Sequence, residues 1–330
     1  MFLEQLKTIP NPKFLSYELL YLYRQEYLRT LEFNIPIAWN NSRISAKDTI
    51  NIARLEACMD AAGLDAIVAR AGINLCYLSG FAYPGTLARH VDLPDSPRPI
   101  YLIWPRHGEP RMVVNAIAAG LARRDSWIEV FDSYDAYIDN PMEKLAGSLK
   151  DMGLADGRVG FEKNYISAAD WELIARALPR MTMKDGAPTM DEVRVVKTEA
   201  EIALFKRGAD ILDDAFLRVF PTLKPGMRER DAHGALMDDC LAGGCEFVHG
   251  ILNSSRNTIP YAGESDFAFE AGDAVRTDYV AYYKGYPGHQ SRCAVIGRAS
   301  GAQKAEYRVV RDLYRAAVDF LRPGRTAGQV

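Results

Sequence analysis

Gly272-Asp273-Ala274-Val275-Arg276-Thr277-Asp278-Tyr279-Val280-Ala281-Tyr282-Tyr283-Lys284-Gly285-Tyr286-Pro287-Gly288-His289-Gln290-Ser291-Arg292-Cys293-Ala294-Val295-Ile296-Gly297 reads as two β-strands joined by a turn that contains Gly and Pro. Folded symmetrically about Tyr283 and Lys284, the stretch sets Asp278 opposite His289. Directly opposed residues of an antiparallel pair have Cβ atoms ~4.5–5.5 Å apart. At that separation a carboxylate and an imidazole share a metal ion, or one holds the other's tautomer for acid–base work, or the two form an ordinary cross-strand polar pair. The spacing alone leaves all three open.

Upstream of the hairpin the pattern is helical. Thr198-Glu199-Ala200-Glu201 fits the S/T-x-x-E capping box, and Ile202, Phe205, Ala209, Leu212, Phe216 and Val219 follow on one stripe. Pro225-Gly226 breaks that helix, and a second is predicted from about Arg228 to Leu241, ending at Gly243-Gly244. A β-rich stretch then runs from Phe247 to Gly297. A last helix near Lys304 to Leu321 carries Tyr307, Val310, Leu313, Ala317 and Leu321. Helices, a meander and a helix predict an α+β unit over residues 186–330.

Residues 46–185 alternate instead. Ile52, Leu55, Met59 and Ala62 step by three and four, with Gly63 as the expected C-cap. Strands are expected at Ala66–Ala69, Pro99–Trp104, Met112–Val114 and Arg158–Glu162, and helices near Met142–Met152 and Ala168–Leu178. This predicts an α/β domain with a helix-flanked sheet. Residues 1–45 read as an N-terminal extension. Its Tyr17, Leu20, Tyr21, Tyr27, Leu28 and Leu31 predict an amphipathic helix over Ser16–Phe33 that covers another domain or a subunit.

Composition excludes several function classes. Forty Lys and Arg against 43 Asp and Glu lack the basic excess of a nucleic-acid binder. No run of ~18 apolar residues predicts a membrane span, and the N-terminus lacks the basic-then-apolar order of a secretory leader. The 5 cysteines are scattered without a CxxC pair, which argues against a zinc ribbon or disulfide framework and for a reduced cytoplasm.

The hairpin resembles that of the M24 peptidase and creatinase superfamily, the pita-bread fold of prolidases, aminopeptidases P and methionine aminopeptidases. Gly272-Asp273, Val275, Asp278, Gly285-Tyr286, Arg292 and Gly297 fall in register with the pattern GD-x-V-x-x-D-x-G, then GY-x-S-D-x-T-R and a closing Gly. Lys197, Glu201, Lys224-Pro225-Gly226 and Glu229 resemble the family's preceding stretch. Arg54, Gly63-Leu64-Asp65 and Asn74–Phe81 resemble its N-terminal creatinase-like domain. The resemblance therefore implies a creatinase-like domain over 46–185 and a pita-bread domain over 186–330.

In the family's metallopeptidases two hairpin aspartates bind a dinuclear metal centre. Asp278 matches the first, whereas His289 stands at the second. Val280 replaces the family's Gly. An upstream family histidine falls in register on Tyr261, with His249 nearby but out of register. The family's remaining ligands follow this hairpin, and the resemblance implies a chain that continues beyond Val330. Three functions follow from it. One is an Xaa-Pro peptidase in which Asp278 and His289 hold a divalent metal (Mn, Zn, Co or Fe). Another is a metal-free creatinase-like or ectoine-hydrolase-like enzyme in which His289 moves protons and Tyr261 bonds the substrate. The third is a non-catalytic pseudopeptidase. Arg292 is a candidate for a substrate carboxylate, or a structural ion pair beneath the hairpin. His90 is a candidate substrate contact in a dimer. His107 is expected at an exposed turn, and His233 with Glu229 as a surface pair. The implied partners are a dipeptide or other small molecule and a second copy of the chain.

Overall fold

The computed structural model describes residues 46–82, 98–259 and 265–329. The chain divides into two units, residues 1–43 and 44–330, and every described residue belongs to the second. The predicted helix over Ser16–Phe33, His90 and Tyr261 lie outside the described residues.

After one turn, α1 (Ala46–Thr49), the chain forms α2 (Ile52–Ala62). The Asn51 side chain accepts a hydrogen bond from the Arg54 amide at its start. Gly63 ends it at φ 60°, a left-handed conformation that costs glycine little. The chain continues through β1 (Ala66–Arg70), α3 (Ile73–Ser79), β2 (Tyr101–Pro105), β3 (Arg111–Asn115), α4 (Ala119–Asp125), β4 (Val130–Tyr134), α5 (Pro141–Asp151), β5 (Arg158–Phe161), α6 (Ala168–Ala177), β6 (Thr182–Asp185) and α7 (Ala187–Arg194). The six strands make one mixed sheet in the order β4-β3-β2-β1-β5-β6. β2 runs antiparallel to both its neighbours, and the remaining pairs are parallel.

The central strand β1 is buried on both faces, and its side chains alternate between two cores. Ile67 and Ala69 join Leu55, Met59, Leu75 and Met190 on one side. Ala66 and Val68 join Leu145, Leu149 and Ile174 on the other. Helices therefore cover both faces, as the alternation of elements predicts.

The second half begins with α8 (Glu199–Val219). Its capping box forms as expected. The Glu201 amide donates to the Thr198 hydroxyl at 3.2 Å, and the Thr198 amide donates to the Glu201 carboxylate at 2.9 Å. Next come α9 (Glu229–Ala242), β7 (Phe247–Ser254), β8 (Ala274–Tyr283), β9 (Tyr286–Val295) and α10 (Gly301–Phe320). The last three strands form an antiparallel sheet in the order β7-β8-β9. Its inner face packs on α8 and α9 through Val248, Leu252, Val275, Tyr279 and Ala281 against Leu212, Phe216 and Leu236. The whole is an α+β fold of two domains, a helix-flanked mixed sheet followed by a helix-backed meander. Among the described residues the predicted apolar stripe of α10 is exposed, Leu313 at 66%.

Two expectations are corrected. The hairpin turns at Lys284 and Gly285, one residue later than the symmetric fold assumed. Both have positive φ, 52° and 77°, the signature of a two-residue type I′ turn. Moving the turn by one residue moves the pairing by two, so His289 pairs with Val280 and Asp278 with Ser291. An even shift keeps every side chain on its face. His233 is buried at 6% exposure instead of lying at the surface, and its Nδ1 is 2.6 Å from the Tyr279 hydroxyl. Glu229, its expected surface partner, is fully buried.

Candidate active site

The outer face of the meander, away from α8 and α9, carries the polar side chains of the hairpin. Strand period two places Arg276, Asp278 and Val280 of β8 on it. The ladder then sets three rows across the sheet. One is His249, Val280 and His289. The next is Ile251, Asp278 and Ser291. The third is Asn253, Arg276 and Cys293.

Asp278 and His289 lie on a diagonal of this lattice, and their side chains bridge it. His289 Nε2 is 2.8 Å from Asp278 Oδ1. The Ser291 hydroxyl, directly opposite, donates to the same oxygen at 2.8 Å. Partial burial pushes the Asp278 carboxyl up. Hydrogen bonds from Ser291 and His289, with the charges of His289 and Arg276, outweigh it and hold the group below the usual carboxylate range. An ionised carboxylate only accepts, so Nε2 of His289 carries the proton, and in the neutral ring Nδ1 keeps its lone pair. The imidazole is exposed at 61%, so water and substrate reach it.

The hairpin is held where it lies by contacts at its turn and its middle. The Lys284 amide donates to the Glu246 carboxylate at 2.7 Å. The Tyr286 hydroxyl donates to Glu201 at 3.4 Å, and its ring packs edge-on against Phe205. A Cβ at Gly285 would stand 2.5 Å from Cys76 Sγ in α3, so the turn lies against the first domain with no room for a side chain.

Arg292 is not part of this face. It pairs with Thr277, one residue out of phase with Asp278, and points towards α8. Its Nη2 meets the Asp213 carboxylate at 2.6 Å. Of the two readings of Arg292, this position favours the structural ion pair beneath the hairpin over the substrate ligand. The structure brings together Asp278 and His289, and it adds Asn253, Arg276, Ser291 and Cys293, which motif reading passed over, and His249, which it set aside as out of register. The signal for them was parity, once the register is known.

The donor set does not complete a metal centre. Among the described residues no group of three or more His, Cys, Asp or Glu side chains gathers around one point. Asp278 and His289 are two donors, one anionic and one neutral, already hydrogen-bonded to each other. A two-metal site needs carboxylates that bridge the ions, and these residues do not supply them.

Two family descriptions match the chain. The Creatinase/Prolidase N-terminal domain matches residues 51–196, and Metallopeptidase family M24 matches residues 203–330. The chain is 28% identical over 188 residues to the uncharacterized peptidase YqhT of Bacillus subtilis (strain 168), covering 56% of this chain and 53% of that protein. It is 22% identical over 296 residues to the Xaa-Pro dipeptidase of Lactobacillus delbrueckii subsp. lactis, covering 85% of this chain and 75% of that one. The chain thus spans about half the length of the first relative. Among solved structures, a prolidase from Thermococcus sibiricus superposes with a TM-score of 0.66 at 23% identity, over 81% of this chain and 70% of that one. Such a likeness shows a shared fold. No helix among the described residues is long and apolar enough to cross a membrane.

Proposed function

We propose, on the premise that this chain belongs to the M24 metallopeptidase and creatinase superfamily, that the protein hydrolyses a C–N bond at Asp278 and His289, with an Xaa-Pro dipeptide as the substrate class. The observation that carries this reading is the 2.8 Å contact between His289 Nε2 and Asp278 Oδ1 on the solvent-facing side of the meander. Residues 46–185 serve as the creatinase-like domain and residues 186–330 as the pita-bread part.

The proton chemistry follows from the pair. Asp278 holds the ring in the tautomer with Nδ1 unprotonated. Nδ1 takes a proton from a water whose oxygen attacks the carbonyl carbon. The same proton passes to the leaving nitrogen as the C–N bond breaks, giving a carboxylic acid and an amine. The positive charge that builds on the imidazole is balanced by the ionised Asp278. No step is assigned to a metal, because the described donors do not form a site for one.

A second reading concerns the substrate. His289 at the position of a metal aspartate favours a creatinase-like enzyme acting on a guanidino or amide compound. Turnover decides between them. Release of proline from glycyl-proline and related dipeptides, lost in both Asp278→Asn and His289→Ala, supports the peptidase. Turnover of creatine-like or ectoine-like compounds alone supports the second. No turnover of either class, in the protein as it occurs naturally, sinks both.

A further inference from the structure

We infer that Cys240 and Cys245 form a dithiol site that closes to an intramolecular disulfide by exchange with a small soluble disulfide. Both thiols are free in this structure. They flank the junction where α9 ends and β7 begins, and neither takes part in the pairing of Asp278 with His289. Cys58, Cys76 and Cys293 sit on three other elements, α2, α3 and β9.

Three observations bring the pair together. First, α9 ends in a Schellman cap. The Cys245 amide donates to the Cys240 carbonyl at 3.2 Å, and the Gly244 amide donates to the Leu241 carbonyl at 3.0 Å. Gly244 stands at φ 103°, a positive value that the cap requires and that glycine takes without strain. With standard backbone dimensions, the 3.2 Å hydrogen bond leaves the two α-carbons at most about 7 Å apart. Disulfides span Cα separations of ~4.4–6.8 Å. Second, the side chains at these two cap positions characteristically touch each other, and here both belong to one buried cluster with Ile211, Leu212 and Leu236. Cys240 is 0% exposed and Cys245 6%. Third, burial pushes the Cys240 thiol up and the charge of Cys245 adds to the rise, so the two sulfurs lie within reach of each other electrostatically.

The exchange balances in two steps. One cysteine thiolate attacks a sulfur of the small disulfide. A mixed disulfide forms and one small thiolate leaves. The other cysteine thiolate then attacks the protein sulfur of that mixed disulfide, which forms the Cys240–Cys245 bond and releases the second small thiolate. The two protons lost by the cysteines end on the two small thiols, so the protein pair is oxidised and the small disulfide reduced. Burial keeps both thiols protonated and covered, so the exchange waits on opening around the Gly243-Gly244 cap. The bond staples the end of α9 to the entry of β7. The next residue, Glu246, accepts from the Lys284 amide at 2.7 Å, so the staple lies one residue from a support of the hairpin turn.

The test brings the whole chain to equilibrium in buffers of graded reduced-to-oxidised glutathione, blocks free thiols with N-ethylmaleimide and reads the tryptic peptides by mass spectrometry. Cleavage after Arg230 and Arg256 leaves Cys240 and Cys245 in one peptide that holds no other cysteine. The expected product is that peptide, unblocked and two hydrogens lighter, and restored by reduction. Half-closure should come at a glutathione balance about tenfold more reducing than for the same chain in urea, because the folded cap holds the sulfurs together. Cys240→Ser and Cys245→Ser should each stop at a free thiol or a glutathione adduct, with circular dichroism unchanged. A parent peptide that is blocked twice in every buffer, one that retains glutathione, a linkage to Cys58, Cys76 or Cys293, or a balance no more reducing than that of the unfolded chain overturns the inference.

Discussion

Gly208 of α8 lies directly against Gly288 of β9, so close that a Cβ built on Gly208 would stand 2.8 Å from the Gly288 amide nitrogen. Helix and strand meet backbone to backbone at this point. Gly288 precedes His289, so the contact fixes the strand segment that carries the imidazole.

The first prediction follows from this contact. Gly208 sits inside a long helix, where Ala is ordinarily the better residue by ~1 kcal/mol. Here the sign reverses, because the new methyl group has nowhere to go. Gly208→Ala and Gly288→Ala should each destabilise by ~1–3 kcal/mol, the usual cost of overpacking. Both should also disturb the His289 ring resonances. Chemical denaturation and NMR measure the two effects. A stabilised Gly208→Ala would show that helix and hairpin are not in contact.

Glu229 gives the second. Its carboxylate is fully buried and accepts hydrogen bonds from the Ser254 amide, from Asn257 Nδ2 and from the Ser265 hydroxyl. Glu229→Gln keeps the shape but turns one acceptor into a donor. That leaves a buried donor facing donors, at a cost of ~1–3 kcal/mol. Urea denaturation should show the loss, and the amide of Ser254 should lose protection from hydrogen exchange. A variant as stable as the parent would mean that this acceptor role is not needed.

Much of this architecture is legible in the residues, and what is not has identifiable physical causes. The Thr198–Glu201 capping box and the Gly63 C-cap are local devices, fixed by side chains three residues apart or by one backbone conformation, and both form as read. The hairpin is legible as a hairpin, but its register is not. A type I′ turn depends on which two residues accept positive φ, and Lys284 is an unexpected first member beside Gly285. The slip was two residues, so Asp278 and His289 stay on one face and meet on a diagonal. Arg292 was left between two readings for the complementary reason. A motif supplies a position along the chain, whereas the face follows from strand parity, which puts Arg292 against Asp213. His233 and Glu229 share one side of α9, and nothing at that spacing tells which side the meander covers. His249, Asn253 and Arg276 reach the site only through the β7–β8 ladder, whose partners lie more than twenty residues apart.

The third prediction concerns alkaline pH. Burial pushes the Cys76 and Cys240 thiols up to about 12 and the Cys245 thiol up to about 11, from an ordinary value of 9.0. A raised thiol pKa means that the unfolded chain releases protons at a pH where the folded chain still holds them. Their contribution is therefore complete below pH 9.0 and is lost as the pH climbs from there towards about 11 and 12. Stability should fall through that window, and Cys240→Ala should make the fall less steep by one proton. Denaturation midpoints at a series of pH values measure the slope. In the same native protein, iodoacetamide at pH 8 should label exposed Cys293 first and spare the three buried thiols until unfolding. Prompt labelling of Cys240 would contradict the packing of α9 on the meander.

The fourth prediction isolates what Asp278 does for His289. Asp278 accepts from both Nε2 of His289 and the Ser291 hydroxyl, so it sets the tautomer and balances the charge of the protonated ring. Asp278→Asn removes the charge and offers an amide that pairs with either ring nitrogen form. Ser291→Ala removes one hydrogen bond and leaves the charge. If His289 acts as the general base, Asp278→Asn should cut turnover by about 100- to 10,000-fold, the range general acid–base groups supply, whereas Ser291→Ala should cost far less. The split between kcat and KM separates these roles from simple damage. Asp278→Asn should lower kcat and leave KM near that of the parent, whereas Ser291→Ala should leave both nearly in place. A kcat unmoved by Asp278→Asn would assign the proton transfer to another group and leave the 2.8 Å contact as a cross-strand polar pair.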